Sequence, residues 1–191
     1  MRVSIVLTLV GGLLRGFGMM FAAPIAVVFI YREWDDLGGF LLGGALALAV
    51  GQTLRLAHHD REPDLRRIEA LGVVAGTWLV VAVLGSVPYL WVGLSPVDAL
   101  FESMSGFTTT GATVLSDFDR FSQALFFWRS LTQWLGGMGV ITLFVAILPP
   151  LAMGVGQLYF AEAPGPTDEK LTPQVRKTAS VLWRLYAGLT L

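Results

Sequence analysis

The sequence predicts an all-α integral membrane protein with a short re-entrant loop between its third and fourth transmembrane helices. Three observations carry this reading. Of the 191 residues, 54% are hydrophobic and 14% are charged, against roughly 25% charged in a soluble domain. Four stretches reach the roughly 20 mainly apolar residues that a helix needs to cross a bilayer. Between the third and fourth lies a threonine- and glycine-rich segment that is neither a span nor an ordinary loop.

The first stretch lies within Val3 to Tyr31, the second runs from about Leu37 to Leu56, the third from about Ala70 to Val92 and the fourth from about Ala124 to Leu148. A fifth apolar stretch begins near Val181. Apolar character continues past Ala22-Ala23-Pro24 to Ile30, which favours an uncleaved membrane helix over a signal peptide with its short core. The first stretch is longer than a roughly 30 Å hydrocarbon core requires, and it contains Arg15 and Pro24. Two arrangements accommodate this. The span can start near Gly11 with Arg15 snorkelling to the interface, or a tilted helix can kink at Pro24.

Basic residues in short loops set the orientation. Arg55, Arg61, Arg66 and Arg67 follow the second span, and Lys170, Arg176 and Lys177 follow the fourth. The loop after the first span has Arg32 among Glu33, Asp35 and Asp36, and the stretch before the fourth has Arg120 among Asp98, Glu102, Asp117 and Asp119. The N-terminus, the Arg55–Arg67 loop and the segment from Pro149 onward are therefore expected to be cytoplasmic. Asp35 and the Leu94–Phe121 region are expected outside.

Ser95-Pro96-Val97-Asp98 reads as a helix start: serine caps, proline suits the first helical position and aspartate the first turn. A helix over about 96–105 is too short to cross a bilayer, and Gly106 is expected to end it. Phe107-Thr108-Thr109-Thr110-Gly111-Ala112-Thr113 follows. Consecutive threonines favour extended backbone, and Gly111 admits conformations closed to other residues. Extended backbone at membrane depth is tolerated where it is buried in protein or lines a water-filled path. Carbonyls along such a path replace the hydration shell of a cation, and the negative end of the short helix points the same way. On these residues alone, an exposed outer loop stands beside the cation-filter reading; placement between two spans, after a capped helix, favours the filter.

Other residues carry weaker signals. Glu102, late in the short helix, either attracts cations or hydrogen-bonds the filter backbone as a scaffold. Asp98 reads as a first-turn residue. Gly136, Gly137 and Gly139 allow close helix packing or a bend. Arg129 lies near the outer end of the fourth span, with no partner identifiable from sequence. His58-His59-Asp60 with Glu62 superficially suggests a metal site, but adjacent histidines in a charged loop lack further ligands. No serine–histidine–carboxylate set sits at membrane depth, so an enzyme is not expected. The net charge of −1 points to no nucleic acid partner, and the absence of cysteine excludes disulfides and thiolate sites. Pro164-Gly165-Pro166 marks a turn, and Thr172-Pro173 starts another helix.

Three stretches together resemble the Trk/Ktr/HKT superfamily of potassium transporters, and most of all its bacterial TrkH branch. They are Phe101-Glu102-Ser103-Met104-Ser105-Gly106-Phe107-Thr108-Thr109-Thr110-Gly111-Ala112-Thr113, then Trp128-Arg129-Ser130-Leu131-Thr132-Gln133-Trp134-Leu135-Gly136-Gly137-Met138-Gly139-Val140, and Ala163-Pro164-Gly165-Pro166 leading to Lys170-Leu171-Thr172-Pro173. The resemblance covers nearly the whole chain.

The resemblance implies four linked helix–pore-loop–helix repeats around one ion path, preceded by two further helices. Residues 1–66 then hold the two leading transmembrane helices, and 67–150 the first repeat, with its pore helix at about 96–105 and its filter at about 108–113. Residues 151–191 hold a cytoplasmic connector and the start of the second repeat. The chain is expected to be an N-terminal fragment with one of four pore loops. It implies potassium as the transported ion, no cofactor, and potassium held by the backbone carbonyls of Thr109, Thr110 and Gly111, with Glu102 and Gly106 supporting the loop. In related plant transporters serine at the Gly111 position goes with sodium preference, so glycine here favours potassium. The resemblance also implies a multi-pass protein of the bacterial inner membrane, a homodimer at full length, and a cytoplasmic nucleotide-binding regulatory subunit. The competing expectation is a non-transporting membrane assembly or binding subunit.

Overall fold

The computed structural model describes residues 2–57, 67–116, 118–156 and 171–190, with side chains described outside 67, 141–176 and 179. Among these residues every regular element is helical. Helices α1 (Val3–Met20) and α2 (Ala22–Tyr31) are followed by α3 (Leu37–Ala57), α4 (Arg67–Gly85) and α5 (Val87–Trp91). Then come the short α6 (Pro96–Phe107), the long α7 (Gln123–Gly156) and α8 (Leu171–Thr190). Among the described residues three helical segments are long and apolar enough to cross a membrane: Val3–Tyr31, Trp34–Ala57 and Ile68–Trp91.

Two spans are broken, each just before a proline. The first breaks at Phe21, three residues before Pro24, which has no N–H to offer the Met20 carbonyl. The helix is interrupted close to the expected kink at Pro24, with residues 3–20 helical before the break. The third span breaks at Ser86, two residues before Pro88. The Ser86 hydroxyl donates back to the Val83 carbonyl at 2.7 Å, and the Trp128 indole N–H donates to the Gly85 carbonyl at 3.0 Å. The fourth helix runs to Gly156, beyond the expected end near Leu148, and the fifth starts at Leu171, ten positions before Val181.

The chain forms two compact units, Met1–Gln133 and Trp134–Leu191. In the first, α1 and α3 lie antiparallel in close contact. A Cβ on Gly11 would sit 2.8 Å from the Gly51 carbonyl oxygen, and one on Gly51 would sit 2.8 Å from that of Gly11. Small residues allow backbones this close in a membrane helix pair. Further along, Phe21 fills the space over Gly43 and Gly44. The core is aromatic: Trp128 is fully buried, with ring centroids 4.3 Å from Phe21 and 5.9 Å from Phe17. Phe107, at the end of α6, joins it against Phe17 at 5.6 Å.

One end of this unit collects the α2–α3 connector, the end of α5 and the start of α7. The Trp91 indole donates to the Asp35 carbonyl at 2.8 Å. Glu33 accepts from the Gln123 and Ala124 amides at 2.8 and 2.9 Å. At α1's N-terminus Arg2 meets the buried Glu69 of α4 in a salt bridge at 3.0 Å. These contacts place the acidic connector and the start of α7 together, and the start of α1 with the start of α4, the grouping that the charge pattern predicts.

In the second unit, Trp134 and Tyr186 stack with centroids 5.8 Å apart, and the Trp134 indole donates to the Thr190 hydroxyl at 3.0 Å. Gly137 faces the Tyr186 hydroxyl with no room for a Cβ, which makes it a packing glycine. The His58–Glu62 group and the Pro164–Pro166 turn lie outside the described residues.

Candidate functional site

Helix α6 begins where its sequence dictates. The Ser95 hydroxyl accepts from the Asp98 amide at 3.2 Å and donates to the Asp98 carboxylate at 2.7 Å, with Pro96 in the first turn. Twelve residues give a rod of about 18 Å, well short of the roughly 30 Å hydrocarbon layer. The helix runs one residue past Gly106, to Phe107. Gly106 has another role: a Cβ there would collide with the Thr132 hydroxyl of α7. The glycine lets α6 lie flush on α7 rather than ending the helix.

Beyond Phe107 the backbone amides turn back onto the helix. Thr108 N donates to the Met104 carbonyl at 2.9 Å, Thr109 N to Gly106 at 3.0 Å and Thr110 N to Ser105 at 3.1 Å. The Thr108 hydroxyl also donates to the Met104 carbonyl, at 2.7 Å. The carbonyls of Thr108, Thr109 and Thr110 accept no hydrogen bond among the described residues, and all three residues are exposed. Their backbone is unusual. Thr109 has φ +57° and Gly111 φ +75°, with no positive φ at Thr110 between them. Positive φ in a β-branched residue is a genuine outlier, and such strain persists where the surroundings over-determine it, commonly at functional sites. Reversing the handedness at alternate residues turns successive peptide planes, so that their carbonyls need not alternate sides as in a strand.

What holds the residues that follow, 111–114, is a buried charge pair. Glu102 of α6 is fully buried. One carboxylate oxygen accepts from the Thr113 hydroxyl and the Val114 amide, both at 2.6 Å. The other accepts from Arg129 Nε at 3.0 Å. Arg129 Nη2 continues to the Gly111 carbonyl at 3.0 Å and the Ala112 carbonyl at 3.2 Å. The Ser105 hydroxyl adds a bond to the Ala112 carbonyl at 2.6 Å. Guanidinium and carboxylate neutralise each other, and both sides of residues 111–114 are pinned between α6 and α7. Glu102 thus hydrogen-bonds the Val114 backbone, the Thr113 hydroxyl and Arg129, the contacts a scaffold residue makes.

The three carbonyls singled out for the ion thus divide. Those of Thr109 and Thr110 are open, whereas that of Gly111 already accepts a bond from Arg129 and keeps one lone pair. Gly111 has open space beside it: a Cβ at this position would have the Gln133 amide nitrogen as its nearest neighbour, at 3.9 Å. Its requirement for glycine is conformational. Sequence reasoning placed Arg129 near the outer end of its helix but found no partner. Twenty-seven positions separate it from Glu102; the available signal was an arginine within an apolar helix, which needs a counter-charge.

A separate concavity of 630 Å³ opens beside the α2–α3 connector, lined in part by Glu33, Asp35, Asp36, Trp91 and Asp119. Among the described residues no group of three or more histidine, cysteine or carboxylate side chains is placed to hold a metal ion.

Fold and site together define a multi-helix membrane protein with a short helix and a pinned extended segment set between two long helices. The chain belongs to the TrkH family: the family model described as "Cation transport protein" matches residues 38–191. It is 38% identical to the Trk system potassium uptake protein TrkH of Halomonas elongata, over 100% of this chain and 40% of that protein. It is 41% identical to the protein of the same name from Escherichia coli K12, over 95% of this chain and 38% of that one. The crystal structure of the potassium transporter TrkH from Vibrio parahaemolyticus superimposes with a TM-score of 0.82 at 33% identity, covering 100% of this chain and 38% of that chain. The chain spans about 40% of the length of the curated relatives it matches.

Proposed function

We propose that this chain forms the first portion of a potassium uptake protein and contributes one quarter of its selectivity filter. The observation that carries the reading is the run of threonine carbonyls at the C-terminal end of α6 that are unpaired among the described residues, followed directly by backbone at 111–114 that a buried ion pair holds. Carbonyl dipoles in such a run substitute for water around a monovalent cation. The helix end behind them adds negative potential. Thr109 and Thr110 present the coordinating oxygens; Gly111 supplies the turn and the lone pair left to its carbonyl. The names of the relatives support potassium as the ion.

In this reading α6 is the pore helix, α4–α5 and α7 flank it, and α1–α3 are the leading pair. The basic segments put the N-terminus in the cytoplasm of a bacterial cell, with the threonine segment toward the outside. Family resemblance extends the proposal to a homodimer at full length and to a nucleotide-binding regulatory subunit on the cytoplasmic face. Neither a cofactor nor catalysis enters this reading.

The test is Gly111→Ser in the native protein, expressed in bacteria that lack their own potassium uptake. A serine at φ +75° is strained whatever space surrounds it. Preference for potassium over sodium in flux measurements is expected to fall sharply. An unchanged preference would remove Gly111 and its neighbours from the filter.

A further inference from the structure

The α2–α3 connector touches both helices that flank the threonine segment. On one side the Asp35 carbonyl takes the Trp91 indole at 2.8 Å. Trp91 lies flat against Gly38 and Gly39 at the start of α3, where neither glycine has room for a Cβ. Trp91 ends α5, four residues before the Ser95 cap of α6. On the other side the two Glu33 carboxylate oxygens each take one amide at the start of α7. A carboxylate at a helix N-terminus satisfies orphan donors and meets the positive end of the helix dipole.

Arg129 sits on that same helix, six residues beyond Gln123. It is the residue that bonds the Gly111 and Ala112 carbonyls. The axial and rotational setting of α7 therefore decides where the guanidinium lands. Glu33 meets the first two amides of that helix from an element ninety residues away in sequence, beside the Ser122 hydroxyl that accepts from the Leu125 amide at 3.1 Å.

We propose that Glu33 is a positioning residue for ion selectivity: by capping α7 it holds Arg129 in register with the filter backbone. This extends the proposed function, because it assigns selectivity in part to a residue outside the ion path. It also gives the two leading helices a task beyond membrane anchorage, since they brace the first pore loop on both sides.

The experiment measures potassium and sodium flux in the native protein carrying Glu33→Ala, Glu33→Gln or, as a charge control, Asp119→Asn. Release of the first two amides of α7 predicts that Glu33→Ala lowers the potassium-to-sodium ratio, through displacement of Arg129 from the Gly111 and Ala112 carbonyls. Glu33→Gln, which keeps the length and one acceptor oxygen, is expected to fall between wild type and Glu33→Ala. Asp119→Asn should leave the ratio unchanged, because that exposed carboxylate only adds surface charge. In parallel, amide hydrogen exchange in Glu33→Gln should rise at residues 111–115 as well as at 123–124.

Equal losses in Glu33→Gln and Asp119→Asn would overturn the proposal in favour of a simple electrostatic effect. An unchanged ratio in both Glu33 variants, with unchanged exchange at 111–115, would also overturn it. If Glu33→Ala does not fold, the isosteric Glu33→Gln decides by the same two readouts. A wild-type protein without potassium preference would instead refute the proposed function itself, and exchange at 111–115 would still report on the mechanical link.

Discussion

Arg129 and Glu102 form one unit across two helices: the guanidinium Nε meets the buried carboxylate at 3.0 Å while Nη2 of the same group reaches past it to the Gly111 carbonyl. Removing one member of a buried pair leaves an uncompensated charge and costs roughly 3–5 kcal/mol. Arg129→Ala should therefore lower the thermal unfolding midpoint in detergent strongly. Glu102→Ala/Arg129→Ala should destabilise by less than the two single changes added together, because the double variant leaves no buried charge. Simple additivity in that cycle would show that the pair does not act as a unit.

Ser105 has a smaller share in holding the same segment. Its hydroxyl supports the Ala112 carbonyl, which Arg129 also binds. Ser105→Ala should cost about 1 kcal/mol of stability and leave expression close to wild type. Thermal unfolding would detect it, and a loss comparable to that of Arg129→Ala would show that Ser105 carries more than one hydrogen bond.

Gly106→Ala tests the contact between α6 and α7. The added methyl meets the Thr132 hydroxyl, an overpacking expected to cost about 1–3 kcal/mol. Adding Thr132→Ala removes the obstructing oxygen and should restore most of the lost stability. Failure of the second change to restore it would mean that Gly106 is needed for its backbone and not for this fit.

Two glycines in one helix give a matched comparison. Gly12→Ala adds a methyl into open space and should stabilise α1 by about 0.5–1 kcal/mol through helix propensity. The neighbouring Gly11→Ala places its methyl 2.8 Å from the Gly51 carbonyl and should destabilise by about 1–3 kcal/mol. Opposite signs in unfolding measurements are the expected result; the same sign for both would disprove the close α1–α3 contact.

Much of the architecture was legible because hydrophobic length and helix punctuation are local properties. Ser95-Pro96 marked the start of α6, and the threonine run with Gly111 marked an unusual backbone. Helix ends were less legible. Gly106 looked like a terminator, yet the packing of α6 on Thr132 uses the same missing side chain for a different purpose. Interruptions at Phe21 and Ser86 fall two or three residues before the prolines that cause them, a displacement that follows from the i to i−4 bonding of helices. Long-range partners were illegible. Nothing near Glu102 announces Arg129, and Glu33 read only as one acid in a loop until the fold brought the start of α7 against it.

The glycine contact between α1 and α3 has a mechanical consequence. A slide of one residue, about 1.5 Å along the axis, would drive a side chain into a backbone carbonyl at Gly11 or Gly51. The two helices consequently have a single axial setting and behave as one stiff strut. Any displacement at the Arg32–Asp36 end must then be a tilt of the whole strut. Piston motion of one helix against the other is blocked, so force applied at the connector is delivered sideways, onto Trp91 and the start of α7.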